Sequence, residues 1–531
     1  MTVASRTIFD TVRLLSEPEA YDPPPPSVRV RQTHGSFVFL AGGFAYKMKR
    51  PVKYAFFDFS TLEKRRAALE RELRLNRRLT PEVYLDVLPV LARGEGLRVG
   101  RPGEEAGAVE FLLRMKELPA ESFLAALLAR EGAREGGGAP LLARVAEAAA
   151  AFHLGAERGE GAAEHGEPGA VRRLLLGNLD ECAELPAAQR PGAEIVQGCR
   201  AALDRLLGQL EGVIRRRAAA GFVRDVHGDL RMEHIVLLDG RVVIFDCLDF
   251  RDDFRCMDVI HEAAALAAEL LQAGWRAEAR AFLEGYLDRT GDDAALPLLP
   301  LYLLHRLLVR GKVEALKAGA ALVPAPERAE AAARSRDLFR LAGELSARER
   351  RPRLVLVAGL MASGKSALAR GLGAAAGMAV HHSDRVRKEL AGLAPTASRR
   401  EAWGRGLYAP EASARAYAEL AERAGRALAA GHDAAVDASF ARRADRAAFE
   451  RLGREAGARL RWIECACPAE ERLARLARRE ARGGSVSDGR PELMGDQEAA
   501  YAPWEEERIV VETSGPKEAS LRAALRALYF P

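Results

Sequence analysis

Eight consecutive residues have the spacing of a phosphate-binding loop: Gly359, Leu360, Met361, Ala362, Ser363, Gly364, Lys365 and Ser366. They fit the pattern G-x-x-x-x-G-K-[ST], in which backbone N–H groups surround nucleotide phosphates. In such a loop the lysine reaches the β and γ phosphate oxygens, and the following hydroxyl binds Mg²⁺. We therefore predict that Lys365 binds ATP and that Ser366 binds magnesium. A chance glycine turn is the alternative, but most of the 80 basic residues are arginines, which makes a fortuitous lysine here rare.

Three polar residues further along could complete a phosphotransfer site. Asp384 and Arg387 follow the apolar run 378–382, and Asp437 ends the run 434–436. An acid at such a strand-to-helix turn can deprotonate an acceptor hydroxyl, and an arginine one turn on can hold the acceptor. Asp437 is placed to orient magnesium-bound water. Alternatively, Asp384 is only a helix N-cap, followed by exposed basic residues.

Four arginines recur at steps of three and four residues and so share one helix face: Arg472, Arg475, Arg479 and Arg482. The flexible sequence 483–488 follows them. This pattern predicts a lid that closes arginines, Arg479 among them, over the γ-phosphate. The alternative is a solvated arginine face.

The elements that position these residues alternate between strand and helix. Apolar runs at 354–358, 378–382, 434–436, 460–465 and 508–513 predict five strands, with helical spacing between them. Such alternation indicates a parallel, helix-covered sheet whose ligand binds at the carboxyl ends of the strands.

A second cluster lies nearer the N-terminus. Asp229 is predicted on a loop, His234 is a polar residue five positions later, and Asp246 ends an apolar strand. These are the polar parts of a kinase-type site, in which the loop aspartate accepts the acceptor proton and the strand aspartate binds Mg²⁺. Lys47 at the end of a strand and Glu72 on the next helix match the ion pair that fixes nucleotide phosphates. Two near neighbours, Lys49 and Glu70, are rivals for those two roles.

Short alternating runs around Lys47 predict a β-meander over 28–49, with a tight turn at 41–43. Residues 61–79 read as a helix with Ser60 as its N-cap. Further strands follow between 85 and 109, and helical patterns cover 121–215 and 257–347. His153 lies on an apolar helix face, which favours a core histidine over a metal ligand. Four polar residues, Asp249, Arg251, Arg255 and Asp258, either order the segment after Asp246 or belong to a solvated surface.

The motif His227-Gly-Asp-Leu230 with Ile244-Phe-Asp246 resembles the aminoglycoside phosphotransferase and choline kinase-like family. Residues 37–89 are similar to the N-lobe of a bacterial two-domain subset that joins such a domain to a P-loop domain. Residues 354–515 resemble P-loop kinases of the polynucleotide kinase and zeta-toxin group. The resemblance implies that Asp229 is the catalytic base, Asp246 a magnesium ligand and Lys47 a phosphate contact paired with Glu72. The family's magnesium-binding asparagine is replaced here by His234, and imidazole is a poor magnesium ligand.

Bulk properties agree with a globular protein of two to four domains: 531 residues, 48% hydrophobic and 29% charged. A net charge of +5 gives no case for nucleic-acid or membrane binding. The six dispersed cysteines suit a reducing compartment, and Cys465-Ala-Cys467 lacks a second pair for zinc. We find no signal peptide or membrane span and expect a cytoplasmic protein. The predicted organisation is a lead-in (1–27), a kinase-like domain (28–347), a charged linker (348–353) and a P-loop domain (354–531).

The sequence thus predicts an α+β protein-kinase-like two-lobed domain followed by an α/β P-loop NTPase domain with a parallel five-stranded sheet. Both would use Mg·ATP to phosphorylate a hydroxyl of a small-molecule acceptor. Two alternatives stay open. The first domain could be a non-catalytic ligand sensor that regulates the P-loop ATPase. The P-loop domain could instead be a toxin-like or repair kinase that acts on nucleotide sugars or on polynucleotide 5′-hydroxyls, with a positive groove beside Asp384 and Arg387 as its signature.

Overall fold

The computed structural model describes residues 7–32, 35–53, 58–131, 137–158, 161–321, 323–394, 397, 402, 404–482 and 489–530. Contacts divide the chain into two compact units. The first consists of residues 1–165 and 221–290, and the second of residues 166–220 and 291–531.

The first unit begins with an antiparallel sheet, as the alternating runs predict. Its strand order is β1-β2-β3-β6-β4-β5, and helix α2 packs across β4 and β6. Gly42 and Gly43 both have positive φ (61° and 80°), which is the geometry a two-residue hairpin turn requires. The elements are α1 (Ile8–Leu15), β1 (Val28–Gln32), β2 (Ser36–Ala41), β3 (Phe44–Lys49), α2 (Leu62–Asn76), β4 (Tyr84–Arg93), β5 (Gly96–Val99) and β6 (Ala108–Lys116).

The N-cap of α2 is Thr61, so the expectation of Ser60 was wrong by one position. The Thr61 hydroxyl accepts a hydrogen bond from the backbone N–H of Lys64 at 3.3 Å. Ser60 instead donates from its backbone and its hydroxyl to Asp58. Both residue types can cap a helix, and this local competition decides which of them does.

Helices fill the next stretch and then give way to short strands that carry the second polar cluster. The helices are α3 (Leu124–Glu131), α4 (Ala139–Gly155), α5 (Ala162–His165), α6 (Pro168–Ala183) and α7 (Ala193–Ala219). The strands are β7 (Val223–Asp225), β8 (Ile235–Leu238), β9 (Arg241–Ile244) and β10 (Cys256–Asp258), pairing antiparallel as β7 with β10 and β8 with β9. Helices α8 (Val259–Gln272) and α9 (Arg276–Thr290) complete the first unit, and α10 (Leu299–Gly319) and α11 (Ala325–Glu349) belong to the second.

The rest of the second unit is the expected parallel five-stranded sheet with helices between its strands. The strand order is β12-β13-β11-β14-β15, and every neighbouring pair is parallel. The elements are β11 (Arg353–Ala358), α12 (Lys365–Ala376), β12 (Ala379–His382), α13 (Ser383–Leu390), α14 (Pro410–Ala429), β13 (Ala434–Asp437), α15 (Arg443–Glu455), β14 (Arg459–Ala466), α16 (Ala469–Arg482), α17 (Met494–Ala499), β15 (Arg508–Glu512) and α18 (Lys517–Tyr529). Within the described residues, none of the helices is long and apolar enough to cross a membrane.

Helix α7 binds the end of α12, the helix that follows the phosphate-loop motif. The Gln209 side chain donates to the Ala376 carbonyl at 2.9 Å and accepts from the Asp433 N–H at 3.0 Å. Arg216 donates to the Ala374 carbonyl at 2.6 Å. The last carbonyls of a helix have no partner within it, so α7 supplies partners that α12 needs.

Candidate active sites

In the first unit, two lysines bind one buried glutamate. Lys47 and Lys49 are two residues apart on β3, so their side chains leave the same face of the strand. Their Nζ atoms lie 2.7 Å from Glu72 Oε1 and Oε2, respectively. Lys47 also lies 3.2 Å from Asp246 Oδ1, and Lys49 lies 2.7 Å from Asp249 Oδ2. Both lysines therefore hold Glu72, and each of them reaches a different carboxylate beyond it.

Of the two rival glutamates on α2, only Glu72 faces this cluster. Its side chain is 1% exposed, whereas that of Glu70 is 47% exposed and pairs with Arg66 at 2.8 Å. The two residues are two positions apart, which on a helix places them on different faces.

His234 lies between the two aspartates of the site. Its Nδ1 is 2.8 Å from the Asp229 backbone carbonyl, and its Nε2 is 3.5 Å from Asp246 Oδ2. Burial raises the pKa of the Asp246 carboxyl, but the positive charges of Lys47 and His234 outweigh burial and hold that pKa below its usual range. Asp246 has a left-handed backbone (φ 61°), and its N–H donates to the Tyr84 hydroxyl at 3.2 Å. Asp229, His234, Asp246, Lys47 and Glu72 thus come together as one polar cluster.

The loop that carries Asp229 is anchored by a buried carboxylate, Glu262 on α8. Glu262 accepts from the backbone N–H groups of His227 and Gly228, and its Oε2 lies 2.8 Å from His153 Nε2. Burial raises the pKa of the Glu262 carboxyl, but the hydrogen bond and charge of His153 and the contacts of His227 lower it overall to about 2. His153 also contacts the Tyr286 hydroxyl at 2.8 Å, which confirms it as a satisfied core histidine.

Three of the polar residues after Asp246 order that segment. Arg255, whose side chain is 2% exposed, donates to the Leu248 carbonyl at 3.0 Å and pairs with Asp225. Asp258 caps α8 by accepting from the Ile260 N–H at 3.1 Å, and Asp249 pairs with Lys49. A solvated surface is therefore the wrong interpretation for these three residues.

The first site fits magnesium only in part. Asp246 offers hard carboxylate oxygens, whereas His234 offers a ring nitrogen, and Mg²⁺ takes oxygen ligands at near-octahedral positions. Among the described residues, no group of three or more His, Cys, Asp or Glu is arranged to hold a metal ion. Asp246 could hold one ion together with nucleotide phosphates, but His234 does not fit as a magnesium ligand.

In the second unit, the predicted phosphate loop links β11 to α12. Gly359, Ala362 and Gly364 all have positive φ (137°, 59° and 93°), which curls the backbone around the loop interior. Lys365 lies within the loop, and its Nζ donates to the Leu360 carbonyl at 2.7 Å. Burial lowers the pKa of Lys365, and the nearby carboxylates of Asp437 and Asp384 offset part of this effect. The loop thus concentrates a desolvated positive charge next to two acids.

Two residues that the sequence reasoning missed hold this loop. Gln497 on α17 accepts from the Met361 N–H at 2.6 Å. Thr513, just after β15, donates to the Ser363 carbonyl at 2.6 Å and to the Ala466 carbonyl at 2.8 Å as alternative acceptors. Both lie more than 130 positions from the loop, and neither belongs to a motif, so the sequence holds no signal for them.

A cavity of about 840 Å³ opens at the carboxyl ends of the strands, where the sequence places the ligand. Its lining includes most of the predicted residues: Met361, Ala362, Gly364, Lys365, Ser366, Asp384, Arg387, Asp437 and Arg479. Asp437 is held by His382, whose Nδ1 lies 2.8 Å from Asp437 Oδ2. The hydroxyl of Ser366 and the carboxylates of Asp384 and Asp437 are the oxygen donors that magnesium prefers, so these residues fit that ion.

Arg387 lines the cavity, and its Nη1 is already engaged, whereas its buried Nε has no hydrogen-bond partner in the part of the chain that the structure describes. Its Nη1 donates to the Leu407 carbonyl at 2.6 Å and to the Ser413 hydroxyl at 3.0 Å. The guanidinium also lies over the Tyr408 ring, 4.7 Å from the ring centroid. In this structure Arg387 therefore holds the segment before α14 in place.

The arginine face of α16 points toward the phosphate loop. Arg475 donates to the Ala362 carbonyl at 3.3 Å, and Arg479 lines the cavity, where burial lowers its pKa. Arg472 is buried and pairs with Glu498 on α17. A plain solvated face is therefore wrong for these three arginines. The side chain of Arg482 and the predicted flexible loop 483–488 lie outside the described residues.

Cys465 is buried on β14 and Cys467 is half-buried. Burial raises the pKa of the Cys465 thiol to about 12, so this residue behaves as a core side chain.

The second unit has the phosphate loop and the parallel, helix-covered sheet of a P-loop NTPase, a class of protein that binds nucleotide phosphates. The family model described as AAA domain (AAA_33) matches residues 354–504. Two solved structures show weak overall similarity. Amicoumacin kinase hAmiN is 14% identical, with a TM-score of 0.36, over 64% of this chain and 95% of its own. A sugar kinase from Janibacter sp. HTCC2649 is 22% identical, with a TM-score of 0.27, over 34% of this chain and 95% of its own.

A relative of similar length gives the family. The protein described as "Uncharacterized protein Rv2004c" of Mycobacterium tuberculosis (strain ATCC 25618 / H37Rv) is 30% identical over 499 residues. The match covers 94% of this chain and 95% of that relative. The chain belongs to the family of this mycobacterial protein.

Proposed function

We propose that the chain is a phosphotransferase with two ATP sites, each of which moves the γ-phosphate to a hydroxyl of a small-molecule acceptor. The observation that carries the proposal is the cavity of about 840 Å³ in which Lys365, Ser366, Asp384 and Asp437 converge. A phosphate-binding lysine, oxygen ligands for magnesium and a candidate base are the parts that phosphotransfer needs in one place.

In the proposed step at this site, Lys365 and the loop N–H groups hold the phosphates, and Asp384 accepts the proton of the acceptor hydroxyl. The acceptor oxygen forms a bond to the γ-phosphorus while the bond from that phosphorus to the β–γ bridging oxygen breaks, so ADP leaves. Magnesium bound by Ser366, with Asp437 nearby, would neutralise charge on the phosphates. Arg479 would contact the transferring phosphate from α16.

In the first unit, Lys47 would exchange its contact with Asp246 for the nucleotide phosphates while Glu72 keeps it in position. Asp229 would accept the proton of a second acceptor. One observation favours a second candidate function for this unit, that of a ligand sensor. Both ring nitrogens of His234 face oxygens of the site, at 2.8 Å and 3.5 Å, in the position where the resembling family has a magnesium-binding asparagine.

The number of nucleotides bound per chain tests the two-site arrangement. Isothermal titration of the full-length protein with a non-hydrolysable ATP analogue should give two equivalents. Lys365→Ala and Lys47→Met should each remove one. The matched controls are Lys317→Ala at a half-buried lysine of the second unit and Lys53→Met at an exposed lysine of the first unit, and both should retain two equivalents. One equivalent in the wild type, lost only in Lys365→Ala, would refute an ATP site in the first unit.

A further inference from the structure

We propose that the acceptor at the P-loop site is a polyhydroxy compound without an anionic group, rather than a phosphate-bearing acceptor such as a nucleic-acid end. This inference rests on the proposed function of that site. It comes from the way charge is distributed across the cavity, which the strand order β12-β13-β11-β14-β15 divides into two sides of the phosphate loop.

One side of the loop is rich in cations. Helix α16, which follows β14, brings Arg475, Arg478 and Arg479 to the cavity, and Lys517 follows β15 there. Glu471 of the same helix also lines the cavity and pairs with Arg475 and Arg478, both at 2.9 Å, so the cations of this side outnumber its acid. Arg370 on α12 lines the same cavity. Cations beside the loop lysine are what the triphosphate of ATP requires, so this side fits the nucleotide.

The other side, after β12 and β13, is rich in hydroxyl groups. The described lining there includes five of them, on Ser383, Tyr408, Ser413, Tyr417 and Ser439. The Tyr417 hydroxyl lies 3.2 Å from the Ser439 hydroxyl and accepts from the Phe440 N–H at 3.0 Å. Hydroxyls both donate and accept hydrogen bonds, so together they suit a ligand that does the same.

The described arginines of this side are already matched by partners. Arg387 donates to the Leu407 carbonyl and the Ser413 hydroxyl, as described above. Arg442 makes a two-pronged pair with Asp445, at 2.9 Å and 3.1 Å. Asp384 and Asp437 add negative charge to the same side. The buried Nε of Arg387 has no hydrogen-bond partner among the described residues, but the carboxylates of Asp384, Asp437 and Asp445 still outnumber the two guanidinium groups of this side. A second phosphate placed here would therefore meet a surplus of negative charge, which is unfavourable.

The chemistry of transfer is unchanged by this assignment. One hydroxyl of the acceptor bonds to the γ-phosphorus and gives its proton to Asp384, and ADP is the leaving group. The remaining hydroxyls of the acceptor would donate hydrogen bonds to, and accept them from, the tyrosine and serine hydroxyls on the side of the cavity after β12 and β13. The product therefore gains a phosphate that the free acceptor lacked, and it would be repelled by the same carboxylates.

The test uses the full-length protein, ATP labelled in the γ-phosphate and a bacterial cytosolic extract split by anion exchange. The unbound fraction holds compounds without net negative charge, and the bound fraction holds anionic metabolites and oligonucleotides. Transfer is counted only when it is lost in Lys365→Ala. We expect the labelled product in reactions with the unbound fraction. A product formed only from the bound fraction would overturn the acceptor assignment and leave the proposed function standing. No product from either fraction, while ATP analogue still binds, would overturn the proposed function itself.

A specificity variant adds an independent readout. Asp445→Asn removes the charged partner of Arg442 and leaves its guanidinium available on the side of the cavity after β12 and β13. We compare the rate of phosphate transfer to the anionic (bound) fraction with the rate of transfer to the unbound fraction. The ratio of the first rate to the second should rise about two- to fivefold, which corresponds to the free energy of a partly exposed ion pair. Asp337→Asn, which changes an exposed aspartate on α11, is the matched control and should leave the ratio unchanged. An unchanged ratio in Asp445→Asn would contradict the argument from matched arginines.

Discussion

Replacing Glu262 by glutamine should loosen the loop that presents Asp229. The carboxylate accepts from two backbone N–H groups, those of His227 and Gly228, and contacts His153. A glutamine side chain has only one oxygen, so its NH₂ group would face either a backbone donor or the histidine. The variant therefore removes a fully buried charge that has hydrogen-bond partners, and it leaves at least one of those partners without a hydrogen bond.

The magnitude follows from the pKa of this carboxyl. Glu262 has a pKa of about 2 in the folded protein against an ordinary value of 4.5. The difference of about 2.5 pKa units corresponds to roughly 3 kcal/mol of stability at pH 7. Because the folded-state pKa is depressed, this stabilisation is complete well above pH 4.5 and is lost as the pH falls toward 2. About 1 kcal/mol of it should already be lost at pH 4.

The loss of stability can be measured by urea unfolding of the full-length protein, with hydrogen-exchange mass spectrometry of peptides from residues 221–290 as the readout. Glu262→Gln should lower the free energy of unfolding of these peptides by roughly 3 kcal/mol at pH 7. The difference in unfolding free energy between wild type and variant should narrow by about 1 kcal/mol at pH 4. Glu284→Gln, at an exposed ion pair on α9, is the control and should change stability by less than about 0.5 kcal/mol. A loss below about 1 kcal/mol with no dependence on pH would refute the anchoring role of Glu262.

Three further substitutions test other parts of the structure. Lys49→Met should weaken binding of ATP analogue to the first site roughly tenfold, since it leaves Asp249 without its 2.7 Å partner, and titration calorimetry should find the P-loop site unchanged. Glu349→Gln should destabilise the second unit by roughly 3–5 kcal/mol in urea, because this 0% exposed carboxylate pairs with Arg353 and Arg459. Gln209→Ala should cost about 1–3 kcal/mol in the same assay, because the Ala376 carbonyl and a backbone N–H lose their partner. Hydrogen exchange should show each substitution destabilising mainly the unit that contains it. Equal loss of protection in both units would contradict the placement of these contacts within one unit.

The parts of the fold that the sequence predicts are those set by local spacing. The phosphate loop, its flanking strand and helix, and the meander around Lys47 follow from motifs and periodicity over fewer than twenty residues. The five parallel strands follow in the same way, since each is a short apolar run between helical patterns.

The remainder depends on contacts between residues far apart in the chain. Glu262 reaches a loop 35 positions earlier, and Gln497 reaches Met361 across 136 positions. The arginine periodicity of α16 correctly gives a shared face, but periodicity does not say what that face contacts. Only the folded chain shows that Arg472 is buried while Arg475 reaches the phosphate loop.

The same limit applies to Arg387. The sequence places it one turn after Asp384, and both line the cavity. Its Nη1 nevertheless donates to a carbonyl 20 positions later and to a hydroxyl 26 positions later, on segments that no motif links to it.

The most direct test of two phosphotransfer sites is transfer of labelled γ-phosphate from ATP into an unfractionated cytosolic metabolite extract. The full-length wild type is compared with Asp229→Asn and with Lys365→Ala. We expect two sets of labelled products, one lost in each variant and retained in the other. If Asp229→Asn leaves every product in place and only Lys365→Ala matters, the first unit does not transfer phosphate, and the claim of two kinase sites is contradicted.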